Sequence, residues 1–150
     1  MTTLICRTAA AASFLFLLTA GAAPFEGFTP ARVLPADFKW VSTPTGLQVA
    51  TIAGNQGKPG LYTARVKYPA GFRLQPHFHP DDRVVIVLSG TVYFGYGDKF
   101  DESKLTALPT GSVWTEPAKT PHYLWTKDGE AVIQVTGIGP SGSTQIPAKK

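Results

Sequence analysis

The sequence has little of what builds disulfide-linked or helical proteins. It contains 150 residues but a single cysteine, Cys6, so no disulfide can form within the chain. From Ala23 onward no segment shows a long apolar period of 3.6 residues, and only residues 100–104 fit a helical turn. A disulfide-stapled domain and a bundle of long helices are therefore excluded.

Charge is also scarce and shows no pattern. Charged residues make up 16% of the chain, and the formal net charge is +4. The basic residues are scattered, with one adjacent pair at Lys149-Lys150, so no basic stripe predicts a nucleic-acid partner. The 43% of hydrophobic residues instead indicates a globular protein with one core.

The first 22 residues have the pattern of a secretory signal peptide. Arg7 precedes an apolar run over residues 9–18, and the small residues Ala20 and Ala22 fit the cleavage rule. The run is shorter than the roughly 20 residues that span a bilayer, so we expect no membrane contact in the mature form. The pattern predicts cleavage after Ala22 and a periplasmic or secreted bacterial protein.

The remaining chain divides by composition into a strap, a barrel and a tail. Residues 23–45 contain four spaced prolines and predict an extended N-terminal strap. Residues 46–137 carry the strand signals, and we assign them to one barrel. Residues 138–150 are rich in Gly, Pro and Ser, and we expect this tail to be partly ordered at best.

Short segments of alternating polarity predict the strands of that barrel. In residues 62–68 the apolar side chains share one face, and Arg65 and Lys67 lie on the other. Similar segments follow at residues 83–88, 91–96, 112–115, 122–126 and 131–136. Turn residues separate them, and many short strands at near-regular spacing indicate a sandwich or a barrel.

All three histidines of the chain fall in two places, at His77 and His79 and at His122. Residues two apart in a strand point to the same side, so His77 and His79 can present both imidazoles to one point. A third imidazole from a neighbouring strand would complete a face of three nitrogens with open positions for other ligands. Alone, a His-x-His pair also fits hydrogen-bonded or solvated structural histidines.

The spacing around these histidines resembles the two cupin motifs. The first stretch reads Gly71, five residues, His77-Phe78-His79, three residues, Arg83, six residues and Gly90. The second reads Gly111, five residues, Pro117, one residue, Lys119, two residues, His122, three residues and Thr126. Residues 92–104 further resemble a group of small bacterial single-domain cupins. The resemblance implies an all-β fold, a single cupin-type β-barrel of the jelly-roll or double-stranded β-helix kind.

The resemblance also implies a divalent metal, Fe, Mn or Zn, held by His77, His79 and His122. Cupins add a glutamate from the first motif, but this chain has Arg83 at that position. The second motif departs from the family at Lys119, where a glycine is usual, and at Thr126, where asparagine is common. A side chain at a turn that needs positive φ would be strained or would require an adjusted turn.

Arg83 is the departure that matters most. Two unit charges about 5 Å apart repel by roughly 3 kcal/mol at an effective dielectric constant near 20, and a dication doubles this. Arg83 can escape the repulsion by pairing with Asp81 or Asp82, or it can point inward and bind an anionic substrate with its guanidinium fork. Asp81 and Asp82 suit a ligand role less well, because the family pattern places them in a turn.

The residues that we expect to contact a substrate are Arg83, Tyr93 and Trp125, while most other aromatic side chains fill the barrel. Two functional hypotheses follow. In the first the chain is a metal-dependent enzyme acting on a small organic molecule, with oxygenation by Fe(II) implied by family analogy. In the second it is a non-catalytic binding protein with a degraded metal site. The retained histidines favour the first hypothesis, and the absent glutamate favours the second.

The resemblance also bears on the oligomeric state. Cupins are often dimers, so it allows a homodimer.

The leader generates a prediction that mass spectrometry can test. Because the cleavage rule is satisfied at Ala20 and Ala22, protein recovered from a bacterial periplasm should have the intact mass of a chain that begins at Ala23. Recovery of the uncleaved chain in the cytoplasm would contradict it.

Overall fold

The computed structural model describes residues 28–147. The predicted signal peptide, residues 1–22, and the first residues of the predicted strap lie outside this range. Within it, no helix is long and apolar enough to cross a membrane.

The described chain forms two antiparallel sheets. Its strands are β1 (Val41–Ser42), β2 (Gln48–Ala53), β3 (Gly60–Tyr68), β4 (Arg73–Phe78), β5 (Arg83–Ser89), β6 (Thr91–Tyr96), β7 (Thr106–Pro109), β8 (Val113–Glu116), β9 (His122–Trp125), β10 (Ala131–Gly139) and β11 (Thr144–Gln145). One sheet has the order β1-β2-β3-β10-β5-β8, and the other β11-β4-β9-β6-β7. Short 3-10 helices cover Pro35–Asp37 and Glu102–Lys104. This architecture confirms the predicted all-β jelly roll.

The core lies between the two sheets and is built by alternation along each strand. In β10, Ile133 and Val135 are the Cα partners of Val87 and Val85 in β5, and all four side chains are buried. Val92, Phe94 and Leu124 complete the same cluster from the other sheet. Full burial of each such side chain contributes about 1.5–3 kcal/mol, so packing supplies the stability that disulfides cannot.

Several strands were not predicted from the sequence. The segment that becomes β4 contains Pro76 and charged or polar residues, and its pairing with β9 shifts register between Leu74 and His77. Proline and a register shift remove the alternation that identifies a strand. β2, β7 and the two-residue strands β1 and β11 also have too little alternation to stand out.

Both flanking segments pack onto the barrel. In the strap, the Phe38 ring lies 4.6 Å from the Arg65 guanidinium carbon, and the Trp40 ring lies 4.9 Å from Lys67 Nζ. Within the described part of the tail, Thr144 and Gln145 pair with Phe78 and His77 of β4. This pairing brings the tail beside the first histidine pair.

Thr126, where cupins often carry asparagine, generates a stability prediction. Its buried hydroxyl donates to the Pro69 carbonyl at 2.7 Å and accepts from Phe72 N–H at 3.2 Å. Thr126→Val should lower the free energy of unfolding in urea by about 1–3 kcal/mol, because buried polar groups lose their partner. The control Thr110→Val removes an exposed hydroxyl and should cost less than about 0.5 kcal/mol. Equal losses in the two variants would show that the buried Thr126 hydroxyl does not stabilise the fold.

Candidate metal centre

Pairing of β4 with β9 brings the three histidines together. His77 and His122 are Cα partners in this strand pair, and His79 follows β4 by one residue. All three side chains are buried, and their ring centroids lie 4.4–5.1 Å apart. One potential ligand nitrogen of each histidine lies within 4.8 Å of the others. The structure therefore places the predicted histidines in one cluster.

Backbone carbonyls fix the orientation of each imidazole. The Nδ1 atoms of His77, His79 and His122 bond to the carbonyl oxygens of Gln75, Gly142 and Thr120 at 2.9, 2.5 and 3.0 Å. A carbonyl can only accept, so each Nδ1 carries the proton and each neutral ring keeps its lone pair on Nε2. This tautomer is the one that metal-binding histidines commonly adopt.

The loop between β8 and β9 holds His122 in place. Lys119 has a φ of 59°, the one positive φ among the non-glycine residues described, as expected where the family usually has glycine. Its N–H donates to the His79 carbonyl at 2.7 Å. The carboxylate of Asp82 accepts from Ala118 N–H at 2.7 Å, so this side chain anchors the loop and does not face the histidines.

Burial keeps the three imidazoles neutral. Desolvation, followed by the charge of His122, lowers the pKa of His77 from 6.5 to about 4. Desolvation, followed by the charge of Arg83, lowers the pKa of His79 to about 3. Desolvation also lowers the pKa of His122. All three rings are thus unprotonated at neutral pH, the state in which imidazole binds a metal.

The Arg83 side chain is largely buried and lines the same cavity as the three histidines. Its side chain is 11% exposed, and its Nε lies 3.5 Å from Asp81 Oδ2. Its Nη2 donates to Ser141 Oγ at 2.5 Å, and its Nη1 lies 3.7 Å from Glu116 Oε2. Arg83 therefore pairs with Asp81, the first of the two alternatives left open by the sequence, and its guanidinium also points inward.

Glu116 is the site residue that the sequence did not reveal. It is 5% exposed, it is the Cα partner of Arg83, and its Oε1 accepts from Trp114 Nε1–H at 3.1 Å. Its carboxylate oxygens lie 3.7 Å from His79 Nε2 and 3.6 Å from His122 Nε2. Burial raises its pKa. The one available signal was the alternation of Trp114 and Glu116 on the inner face of β8.

A cavity of about 380 Å³ opens over the cluster. Its lining includes the polar side chains of His77, His79, Arg83, Glu116, His122 and Ser141 and the apolar side chains of Leu47, Val49, Val66, Leu74, Ile133 and Val135. Tyr93 and Trp125 do not line it. The Tyr93 hydroxyl instead donates to Asp128, and the Trp125 ring packs 3.9 Å from the Arg73 guanidinium.

Comparisons with known proteins identify relatives of this arrangement. The sequence model described as the ChrR Cupin-like domain matches residues 29–137. Germin-like protein 5-1 of Oryza sativa subsp. japonica is 35% identical over 80 residues, which are 48% of this chain and 35% of that protein. The chain thus spans about a third of the length of that relative.

Solved structures share the fold at low identity. The polyketide cyclase RemF from Streptomyces resistomycificus superposes with a TM-score of 0.67 and 16% identity, covering 81% of this chain and 89% of that one. KdgF from Halomonas sp. superposes with a TM-score of 0.60 and 21% identity, covering 74% of this chain and 96% of that one. At these identities the likeness shows the barrel and not the reaction.

The lowered histidine pKa values generate a prediction for the metal-free protein. As pH falls below 6.5, these histidines become protonated in the unfolded chain. In the folded chain the buried His77 and His79 stay neutral until the pH reaches about 4 and about 3. The free energy of unfolding should therefore fall across this window, by about 1.4 kcal/mol for each pH unit and each histidine, with Glu116 offsetting part of the loss. Urea denaturation in the presence of a chelator, at about pH 7 and about pH 5, measures it. Equal stability at both would show that these rings are charged or exposed.

Proposed function

Because the chain belongs to the ChrR cupin-like family, we propose that it binds a divalent metal ion through His77, His79 and His122 and acts on a small organic molecule held in the cavity above. The observation that carries this proposal is the shared orientation of three buried rings, each with Nδ1 tied to a backbone carbonyl. Three fixed lone pairs aimed at one region suit a transition metal better than any structural role.

An unsatisfied atom supports the fit of a metal to these residues. His122 Nε2 is buried and has no hydrogen-bond partner among the described residues. A buried nitrogen without a partner costs about 1–3 kcal/mol, and a metal ion would remove that cost. Imidazole suits Fe, Mn and Zn to different degrees, so the donor set does not select one of them.

The cavity indicates the kind of molecule that would be bound. Its volume of about 380 Å³ lies at the small end of the range for ligand pockets. Both polar groups and aliphatic side chains line it, so it would suit a small molecule with one polar and one apolar end. The polar end would be held next to the imidazoles.

A bound ion would supply Lewis-acid chemistry or, as Fe(II), oxygen activation beside that polar end. The chain's own aliphatic side chains would exclude water from the cavity, and its backbone carbonyls would keep the imidazoles oriented. Arg83 would then bind an anionic group only through donor capacity left over from Asp81, Glu116 and Ser141. We propose oxygenation as the reaction class, with export to the periplasm as its setting.

The position of Arg83 favours a second candidate function. A guanidinium inside the cluster opposes a dication, which favours a barrel that binds a small molecule without metal. Metal analysis separates the two functions, because the second requires wild-type protein without stoichiometric metal.

The metal proposal is tested by replacing each histidine. His77→Ala, His79→Ala and His122→Ala should each weaken Zn(II), Mn(II) or Fe(II) binding by at least about 100-fold, since each removes one of three nitrogen donors. Elemental analysis and calorimetric titration of the purified protein measure this.

Glu102→Ala provides the control, because Glu102 is exposed, pairs with Arg73 and does not line the cavity. Its metal affinity should stay within about twofold of the wild type. Equal metal content in all four variants and the wild type would show that the histidines are structural.

A further inference from the structure

We infer that Glu116 is the carboxylate ligand of the metal centre and takes over, from the neighbouring strand, the role that the first cupin motif gives to a glutamate at the position of Arg83. The inference rests on the proposed function, since it assumes that the three histidines hold a metal. It adds a ligand at one of the five unspecified positions between Gly111 and Pro117 of the second motif.

Strand register makes this exchange of positions feasible. Arg83 of β5 and Glu116 of β8 are Cα partners in an antiparallel pair. Side chains directly opposite each other in such a pair lie on the same face, with Cβ atoms about 4.5–5.5 Å apart. A carboxylate moved from one position to the other therefore stays beside the same cavity, which both residues line.

The distances are a few tenths of an ångström longer than those typical of two ligands of one ion. Glu116 Oε1 lies 3.6 Å from His122 Nε2, and Oε2 lies 3.7 Å from His79 Nε2. Two ligand atoms that each bind a metal at about 2.1 Å, at angles between 90° and the tetrahedral value, are separated by roughly 3.0–3.4 Å. A movement of a few tenths of an ångström would bring the carboxylate into coordination.

No hydrogen bond joins the ionised Glu116 carboxylate to His79 Nε2 or His122 Nε2, because none of these atoms carries a proton. His79 and His122 carry their proton on Nδ1, where each donates to a backbone carbonyl. Each Nε2 thus presents a lone pair to an oxygen of Glu116, which is only an acceptor when the carboxylate is ionised. Buried acceptors that face each other repel unless a cation lies between them, and a metal ion bound by both provides that cation.

Arg83 acts as a positioning residue for Glu116. It approaches Glu116 Oε2 at 3.7 Å while Asp81 and Ser141 hold the rest of its guanidinium. The formal charges of Arg83, Asp81 and Glu116 sum to −1, so the group as a whole attracts a dication although it contains an arginine. Trp114 Nε1–H holds the other oxygen of Glu116 at 3.1 Å, which orients the carboxylate toward the histidines.

The test is the isosteric change Glu116→Gln, with Glu102→Gln as the matched control on an exposed glutamate that pairs with Arg73. The amide introduced by Glu116→Gln would keep an oxygen to accept from Trp114, so the fold should be preserved, and thermal unfolding of the metal-free variants checks this. Calorimetric titration with Zn(II), Mn(II) and Fe(II) should show at least about tenfold weaker binding for Glu116→Gln and unchanged binding for Glu102→Gln.

A rescue variant separates ligation from a general charge effect. Arg83→Glu combined with Glu116→Gln returns the carboxylate to the motif position, and its affinity should recover to within about threefold of the wild type. Binding to the double variant that is as weak as to Glu116→Gln alone would overturn the exchange of positions.

The remaining outcomes distinguish the two proposals. If the wild type binds metal and Glu116→Gln binds it equally well or more tightly, Glu116 is not a ligand and only this inference fails. If the wild type binds none of the three ions, the proposed function fails with it.

Discussion

The site depends on three hydrogen bonds from buried imidazole Nδ1 atoms to backbone carbonyls. Each bond fixes one ring of His77, His79 or His122 so that Nε2 faces the cavity. Rotation of any ring would leave its buried Nδ1–H without a partner, at about 1–3 kcal/mol. The tautomer that a metal requires is therefore enforced by the fold before any metal binds.

Those carbonyls come from three different parts of the chain. Gln75 belongs to β4, Thr120 to the loop before β9, and Gly142 to the tail after β10. The tail lies outside the residues matched by the family sequence model, which end at 137, yet it supplies Gly142 to His79 and Ser141 to Arg83. The tail lies beyond the matched family domain, and it nevertheless helps to orient the side chains of the site.

Electrostatic balance is the second condition that the site must meet. An arginine beside a dication is unfavourable on its own, but Arg83 is enclosed by Asp81 and Glu116. A motif read along one strand shows the arginine and not the carboxylate that lies opposite it on the next strand. Departures from a linear motif in a β-barrel therefore need to be compared with the cross-strand partner of the altered residue.

Local alternation was enough to predict a sandwich or a barrel and the strands with clear polarity patterns, because it depends on periods within short segments. The jelly roll and the grouping of the three histidines were implied by the resemblance of the motifs to those of cupins. Only the tertiary structure decided that Glu116 faces the histidines, that Tyr93 and Trp125 lie away from the cavity, and that the tail closes over His79. These features depend on strand register and on contacts between distant segments. A shift of one residue in register exchanges the faces of a strand, so they are not encoded in any single stretch of sequence.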